Sequence, residues 1–149
     1  MVARIAVGGA AKIERTDNQD SGPAQLSLTM AKDSHTLQWR IDVMTVLHRV
    51  TAAEQRLSAS MRVNKTTMLA AADELEAATK DATLWVTANP CPEARMRAQV
   101  AWVLNSCAEA ARAARHAVND PSTYNEETIV RIRGLLAAAE YHTWRLQPG

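Results

Sequence analysis

Residues 64–92 read NKTTMLAAADELEAATKDATLWVTANPCP. This stretch decides the fold, because a run of good helix formers is opened by Asn64 and closed by Asn-Pro-Cys-Pro at 89–92. Asparagine is a preferred N-cap residue, and proline ends a helix because it lacks a backbone N–H and clashes with the preceding turn. The stretch therefore predicts an amphipathic helix to about Ala88, with apolar positions along one face. These positions are Met68, Ala71, Leu75, Ala78, Ala82 and Trp85.

Breaks of the same kind divide the rest of the chain. No glycine occurs between Pro23 and Arg133, and the next break is Asn-Asp-Pro-Ser at 119–122. Because short turns favour antiparallel neighbours, the sequence predicts an all-α, antiparallel up-down-up-down four-helix bundle over residues 33–149. An irregular N-terminal arm, residues 1–32, precedes the bundle. The three other helices are predicted from Asp33 or Ser34 to about Arg62, from Pro92 to about Val118, and from a capping box of Thr123 and Glu126 onward.

Each of these helices carries an apolar stripe at helical spacing. The predicted core stripes are Trp39, Val43, Val46, Val50, Ala53 and Leu57 on the first helix, Met96, Val100, Val103, Cys107, Ala110 and Ala114 on the third, and Ile129, Ile132, Leu136, Ala139, Thr143 and Leu146 on the fourth. A second line on the fourth helix consists of Val130, Gly134, Ala137, Tyr141 and Trp144. Gly134 within a helix is either a point of close backbone approach or a weak position.

Composition excludes several classes of protein. The 149 residues carry a formal net charge of +1, which provides no strong field toward nucleic acid or an anionic membrane. Helical spacing places Cys91 roughly 24 Å from Cys107, so both are predicted to be thiols and the protein to be cytoplasmic. No apolar run reaches the ~20 residues of a membrane span. Heavy use of alanine and arginine is typical of GC-rich bacterial genomes.

The predicted topology collects aromatic residues at one end of the bundle. Trp39, Trp85 and Trp144 share that end, where they either fill a wide part of the core or enclose a pocket for a flat or apolar ligand. In the pocket reading, polar residues of the same end orient the ligand. The candidate ligand-binding residues are Trp39, Trp85, Tyr141, His142, Trp144 and Arg145.

A second candidate surface is an interface. Trp102 lies on an otherwise polar line of the third helix, which marks it as an anchor for a partner or as a covered surface residue. The first helix has an additional line, Ile41, Met44 and His48, which predicts that its first half is buried on more than one side. Together these residues predict a homo-oligomer or a protein partner, with no nucleic acid and no membrane.

The sequence contains few residue patterns typical of metal binding or catalysis. Metal sites in bundles need inward Glu residues and Glu-x-x-His pairs, whereas only His116 and Asp120 have ligand spacing here, so no metal is predicted. No cofactor is indicated either, and no catalytic residue is assigned. Cys91 is the strongest nucleophile candidate because a thiol at a helix N-terminus can have a lowered pKa; the alternative is a cysteine that only shapes the turn.

The second half of the chain carries a resemblance. Cys107-Ala-Glu-Ala-Ala-Arg-Ala-Ala-Arg-His116 and Ile132-Arg-Gly-Leu-Leu-Ala-Ala-Ala-Glu-Tyr-His142 resemble a group of short actinobacterial helical proteins found near natural-product gene clusters. Those proteins have no established activity, so the resemblance implies a setting in bacterial secondary metabolism and transfers no site residue. We therefore expect a helical module that acts by association. The alternative is a small enzyme or carrier for an apolar natural-product intermediate.

Overall fold

The computed structural model of the protein describes the backbone of residues 22–147 and the side chains of residues 34–147. Two compact units divide the chain after Gln38, and the second unit, Trp39–Gly149, contains the bundle. The described chain consists of α-helices and one 3₁₀ turn, Pro121–Thr123, which confirms the all-α four-helix fold. The helices are α1 Gly22–Ser60, α2 Lys65–Ala88, α3 Ala94–Asn119 and α4 Glu126–Leu146.

Side-chain contacts between neighbouring helices confirm the antiparallel order. The further a residue lies along one helix, the earlier its partner lies on the next. Arg49 and Arg56 of α1 contact Asp81 and Glu74 of α2, respectively. The remaining contacts are Arg115 of α3 with Asp73 and Glu76 of α2, and Arg131 and His142 of α4 with Glu109 and Gln99 of α3.

Helix starts differ from the sequence prediction in three places. Helix α1 begins at Gly22, before Asp33, because Pro23 is tolerated in a first turn and no helix-breaking residue follows it. The arm therefore loses residues 22–32 to α1, and its remainder, residues 1–21, lies outside the described residues. Helix α3 begins at Ala94 rather than Pro92, since Glu93 has an extended backbone.

The start of α4 corrects the predicted capping box. Asn125 is the N-cap, and its side chain accepts from the backbone N–H of Thr128 at 3.0 Å. Thr123 is unavailable for capping because its hydroxyl donates to the carbonyl of Asp120 at 2.7 Å within the 3₁₀ turn. The predicted Thr123–Glu126 capping box is therefore wrong, and α4 begins at Glu126, two residues after the start that a Thr123 N-cap implies.

The core stripes of α2, α3 and α4 are confirmed, with Trp85 and Ile129 partly buried and the other members buried. On α1 the predicted stripe is confirmed except at Val46, which is only partly buried, while its neighbour Leu47 is fully buried. The prediction that the first half of α1 is buried on two sides is wrong, since Ile41 is 45% exposed and His48 is exposed. The buried line of α1 runs Val43, Leu47, Val50, Glu54, Leu57 and Met61.

Both cysteines are free and buried. No helix among the described residues combines the length and apolar character needed to cross a membrane.

Candidate functional site

Two of the three indoles at the predicted aromatic end pack against each other. The ring centroids of Trp39 and Trp85 are 6.2 Å apart with their planes tilted by 41°. Trp39 is buried, and its Nε1 donates to the backbone carbonyl of Asn89 at 2.7 Å. Trp144 is 63% exposed and contacts Tyr141 instead, at 6.4 Å between ring centroids. The structure therefore does not bring the three indoles around one cavity.

The second line of α4 forms an exposed apolar stripe. Its members repeat at 4-3-4-3 spacing, and its three large side chains are all more than half exposed: Val130 63%, Tyr141 52% and Trp144 63%. Gly134 and Ala137 lie between them and are exposed too. We call Val130, Gly134, Ala137, Tyr141 and Trp144 the outer stripe.

Aromatic side chains extend the outer stripe onto α3. The ring of His142 stacks on Trp102, with centroids 5.3 Å apart and planes within 17°, and meets the edge of Tyr141 at 5.4 Å. His142 Nδ1 is hydrogen-bonded to Gln99 Oε1 at 2.6 Å, and this bond fixes the ring between its two neighbours. Trp102 itself is 58% exposed, in keeping with its polar line on α3.

Arg145 completes this group. Its guanidinium lies 5.9 Å from the centroid of the Tyr141 ring, and its Nη1 donates to the Tyr141 hydroxyl at 3.1 Å. Such cation–π and hydrogen-bonding contacts hold the phenol in one orientation. The structure thus brings together four predicted ligand-binding residues with Trp102, on an outer face and not in a pocket. These residues are Tyr141, His142, Trp144 and Arg145.

Gly134 has open space in front of it. A Cβ built at this position meets no atom within 4 Å, apart from the local backbone of the helix. No other part of the described chain therefore approaches the Gly134 backbone closely. Of the two interpretations of Gly134, a single molecule therefore favours a weak position in the helix over a point of close backbone approach.

A separate groove runs between α2 and α3 beside Trp39. Its volume is about 360 Å³, and most of its lining is apolar, including Val86, Val100 and Leu104. Arg97 lies at its edge, where Nη1 donates to the carbonyl of Cys91 at 2.7 Å. This groove is a concave and mostly apolar surface next to Trp39.

Cys91 lines the same groove but lacks the character of a nucleophile. Burial raises the pKa of its thiol above the ordinary value, and the nearby Arg97 charge and a backbone N–H only partly oppose this effect. That N–H, from Glu93, approaches Cys91 Sγ at 3.4 Å. Because the thiolate is the reactive form, the raised pKa disfavours Cys91 as a nucleophile and favours the alternative of a cysteine that shapes the turn.

A buried carboxyl on α1 is the main functional feature that sequence reasoning missed. Glu54 is only 5% exposed, and its Oε2 accepts from the thiol of Cys107 at 3.1 Å. Burial raises its pKa from 4.5 to about 7, and Glu140 raises it further while the thiol hydrogen bond opposes the change. The available signal was the 4-3 spacing of Val50, Glu54 and Leu57, which places an acidic residue on a core stripe.

Glu54 lies in a groove between α1 and α4, which we call the α1–α4 groove. Its volume is about 420 Å³ and its lining is mixed polar and apolar. A perturbed carboxyl in a concave site is a physical indication of function. The lining residues are Thr51, Glu54, Gln55, Ser58, Ala59, Arg133, Leu136, Ala137 and Glu140.

Asp120, which has ligand spacing with His116 but was not predicted to bind a metal, caps the 3₁₀ turn. Asp120 accepts from the Ser122 hydroxyl at 2.7 Å, and the Ser122 hydrogen bond lowers the pKa of its carboxyl. Across the described residues, no three His, Cys, Asp or Glu side chains converge to hold a metal ion. No family model, curated protein or solved structure matches this chain.

Proposed function

We propose that the protein is a cytoplasmic helical module that acts by association, and that its first partner is a second copy of itself bound through the outer stripe. The observation that carries the proposal is an apolar line at 4-3-4-3 spacing that faces away from the bundle. That spacing is the pattern by which one helix packs against another. In a monomer it places two large aromatic rings in water.

Small residues in the middle of the stripe favour close helix contact. Gly134 and Ala137 leave the α4 backbone accessible, while Tyr141 and Trp144 provide the large aromatic area typical of interface anchors. A twofold axis across α4 pairs each stripe with its counterpart, and a twofold interface uses the same patch on both copies. Trp102 extends the apolar area at one end of this contact.

The additional line on α1 contributes less to the proposed interface. Met44 is partly buried and packs against the core of its own chain. Ile41 and His48 are exposed on α1, so they remain available at the edge of an interface. The proposal does not require them.

Sedimentation equilibrium with matched variants tests the association. Ala137→Glu places a charge in the centre of the outer stripe, and Ala77→Glu makes the same change at an exposed position of α2. We expect the unmodified protein and Ala77→Glu to sediment as dimers and Ala137→Glu as a monomer. A monomeric unmodified protein at its highest attainable concentration would refute the proposal, as would equal dimerisation of both variants.

The α2–α3 groove supports a second candidate function, binding of an apolar natural-product intermediate. The observation that favours it is the concave apolar lining next to Trp39. Ala101 lines this groove and is exposed, so Ala101→Trp fills the space without disturbing the core. We expect the fluorescent apolar probe anilinonaphthalene sulfonate to bind the unmodified protein and to lose this binding in Ala101→Trp. Equal probe fluorescence for both proteins would refute this function.

A further inference from the structure

Glu54 presents one carboxyl oxygen to the α1–α4 groove. Cys107 donates a hydrogen bond to Oε2, whereas Oε1 is not among the fully buried polar atoms that lack a partner in the described chain, so it is open to the groove. A mostly buried carboxyl with a single hydrogen bond destabilises the folded state, and an apolar residue or glutamine at this core position avoids that cost. The open oxygen is therefore available to a ligand that binds in the groove.

The charges around the groove favour a cation. Glu140 adds a second carboxyl and Arg133 adds one guanidinium, so the groove carries one excess negative charge when Glu54 is ionised. Thr51 and Ser58 line the same wall as Glu54 and present hydroxyl oxygens that accept hydrogen bonds. An ammonium group, with three N–H donors, matches one carboxylate and two hydroxyl acceptors.

We propose that the α1–α4 groove binds a small organic ammonium compound, with its nitrogen paired to Glu54 and its carbon chain lying along Leu136 and Ala137. A divalent metal fits less well, because hard cations take six or more oxygen ligands and only two carboxyls line the groove. The size of the groove, about 420 Å³, suits a ligand of several carbon atoms. The groove shares Ala137 with the outer stripe, so ligand binding is measured at concentrations where the protein is monomeric.

Binding is coupled to a proton. Burial keeps Glu54 protonated up to a pKa of about 7, so at pH 6 the ammonium ion pairs with a carboxyl that must first ionise. The proton passes to the buffer, and one ion pair replaces one neutral acid. The titratable and charged groups that face Glu54 are Cys107 from α3 and Glu140 and Arg133 from α4, while α2 contributes no lining residue to the groove.

Isothermal titration calorimetry with n-butylammonium chloride tests the proposal. Titrations at pH 6 in two buffers of different ionisation enthalpy measure proton release, which we expect to approach one proton per bound ligand. At pH 8.5 we expect no release, because Glu54 is then already ionised. Glu54→Gln keeps an acceptor for the Cys107 thiol but removes the charge, so we expect affinity to fall about tenfold or more. The matched control is Glu74→Gln, a carboxylate paired with Arg56 on the outside of the bundle.

Several outcomes overturn the proposal. Binding that survives Glu54→Gln, or that weakens equally in Glu74→Gln, places the ligand elsewhere. Equal binding of tetramethylammonium or potassium shows general counter-ion attraction and not recognition of N–H donors. Absence of n-butylammonium binding also refutes the proposal. If circular dichroism shows that Glu54→Gln is not folded, Glu140→Gln becomes the deciding variant, and unchanged affinity in that variant refutes the site.

Discussion

The stability of this protein is expected to fall as pH rises, because the folded state holds a proton on Glu54 that the unfolded chain releases. Below pH 4.5 the carboxyl is protonated in both states, so its ionisation does not change the free energy of unfolding. Between 4.5 and about 7 the unfolded chain ionises first, and the free energy of unfolding decreases with increasing pH. Above about 7 the buried carboxylate is ionised in both states and the full penalty is present.

The size of the penalty follows from the two pKa values. The interval from 4.5 to about 7 corresponds to about 3 kcal/mol at 1.36 kcal/mol per pH unit. This is a large fraction of the roughly 5–15 kcal/mol by which a domain is stable. The Cys107 thiol does not contribute in this range, since burial and the neighbouring Glu54 raise its pKa further above the ordinary value.

Urea denaturation of the unmodified protein and Glu54→Gln at pH 4, 5, 6, 7 and 8 measures the effect. Between pH 4 and pH 8, we expect the free energy of unfolding of the variant to rise by about 3 kcal/mol relative to that of the unmodified protein. Glu74→Gln is the control with the opposite sign, because the Arg56 hydrogen bond lowers the pKa of Glu74 and stabilises the fold at higher pH. A difference between the unmodified protein and Glu54→Gln that does not change with pH would show that Glu54 is not buried as a protonated acid.

Three further substitutions test individual features of the bundle. Gly134→Ala is expected to raise the free energy of unfolding by about 1 kcal/mol in urea denaturation at concentrations where the protein is monomeric, because the added methyl meets open space. Thr79→Val is expected to add about 1 kcal/mol to the same quantity, since the Thr79 hydroxyl is buried without a hydrogen-bond partner in the described chain; a loss of stability would indicate a partner such as buried water. Trp39→Phe is expected to lower the thermal midpoint in calorimetry and to cost about 1–2 kcal/mol, because it deletes the hydrogen bond to Asn89 and leaves space; an unchanged midpoint would contradict that contact.

Local signals account for most of the fold. The segments 89–92 and 119–122 contain the asparagine and proline residues that end the preceding helices, so the positions of these turns follow from the sequence. With the turns placed, the apolar stripes of α2 and α3 follow as well. The start of α1 does not, because the stretch after Pro23 has no residue that distinguishes an arm from a helix. One member of the α1 stripe was predicted wrongly, since Val46 and Leu47 are both apolar and only packing selects between them.

The candidate site was harder to predict for a geometric reason. Topology places residues at the same level of a bundle, but the direction of each side chain depends on the phase of its helix. Trp144 shares a level with Trp39, yet it lies one position after the core residue Thr143 and therefore points about 100° away. Glu54 was missed because a single polar residue interrupting an apolar stripe is invisible to a pattern that counts apolar residues.

The antiparallel order of the helices also determines the order in which they pack together during folding. Helices adjacent in the chain meet after short loops close, which has a small entropic cost. Contact between α1 and α4 comes from the opposite ends of the bundle: the Arg40 guanidinium donates to the Leu146 carbonyl at 3.1 Å across a separation of 106 residues. We therefore expect α1 and α4 to dock last during folding and to separate first during local opening. Glu54 lines the groove at this last-formed contact, so we expect local opening to return its pKa toward 4.5 and therefore to become easier as the pH rises from 4.5 to about 7.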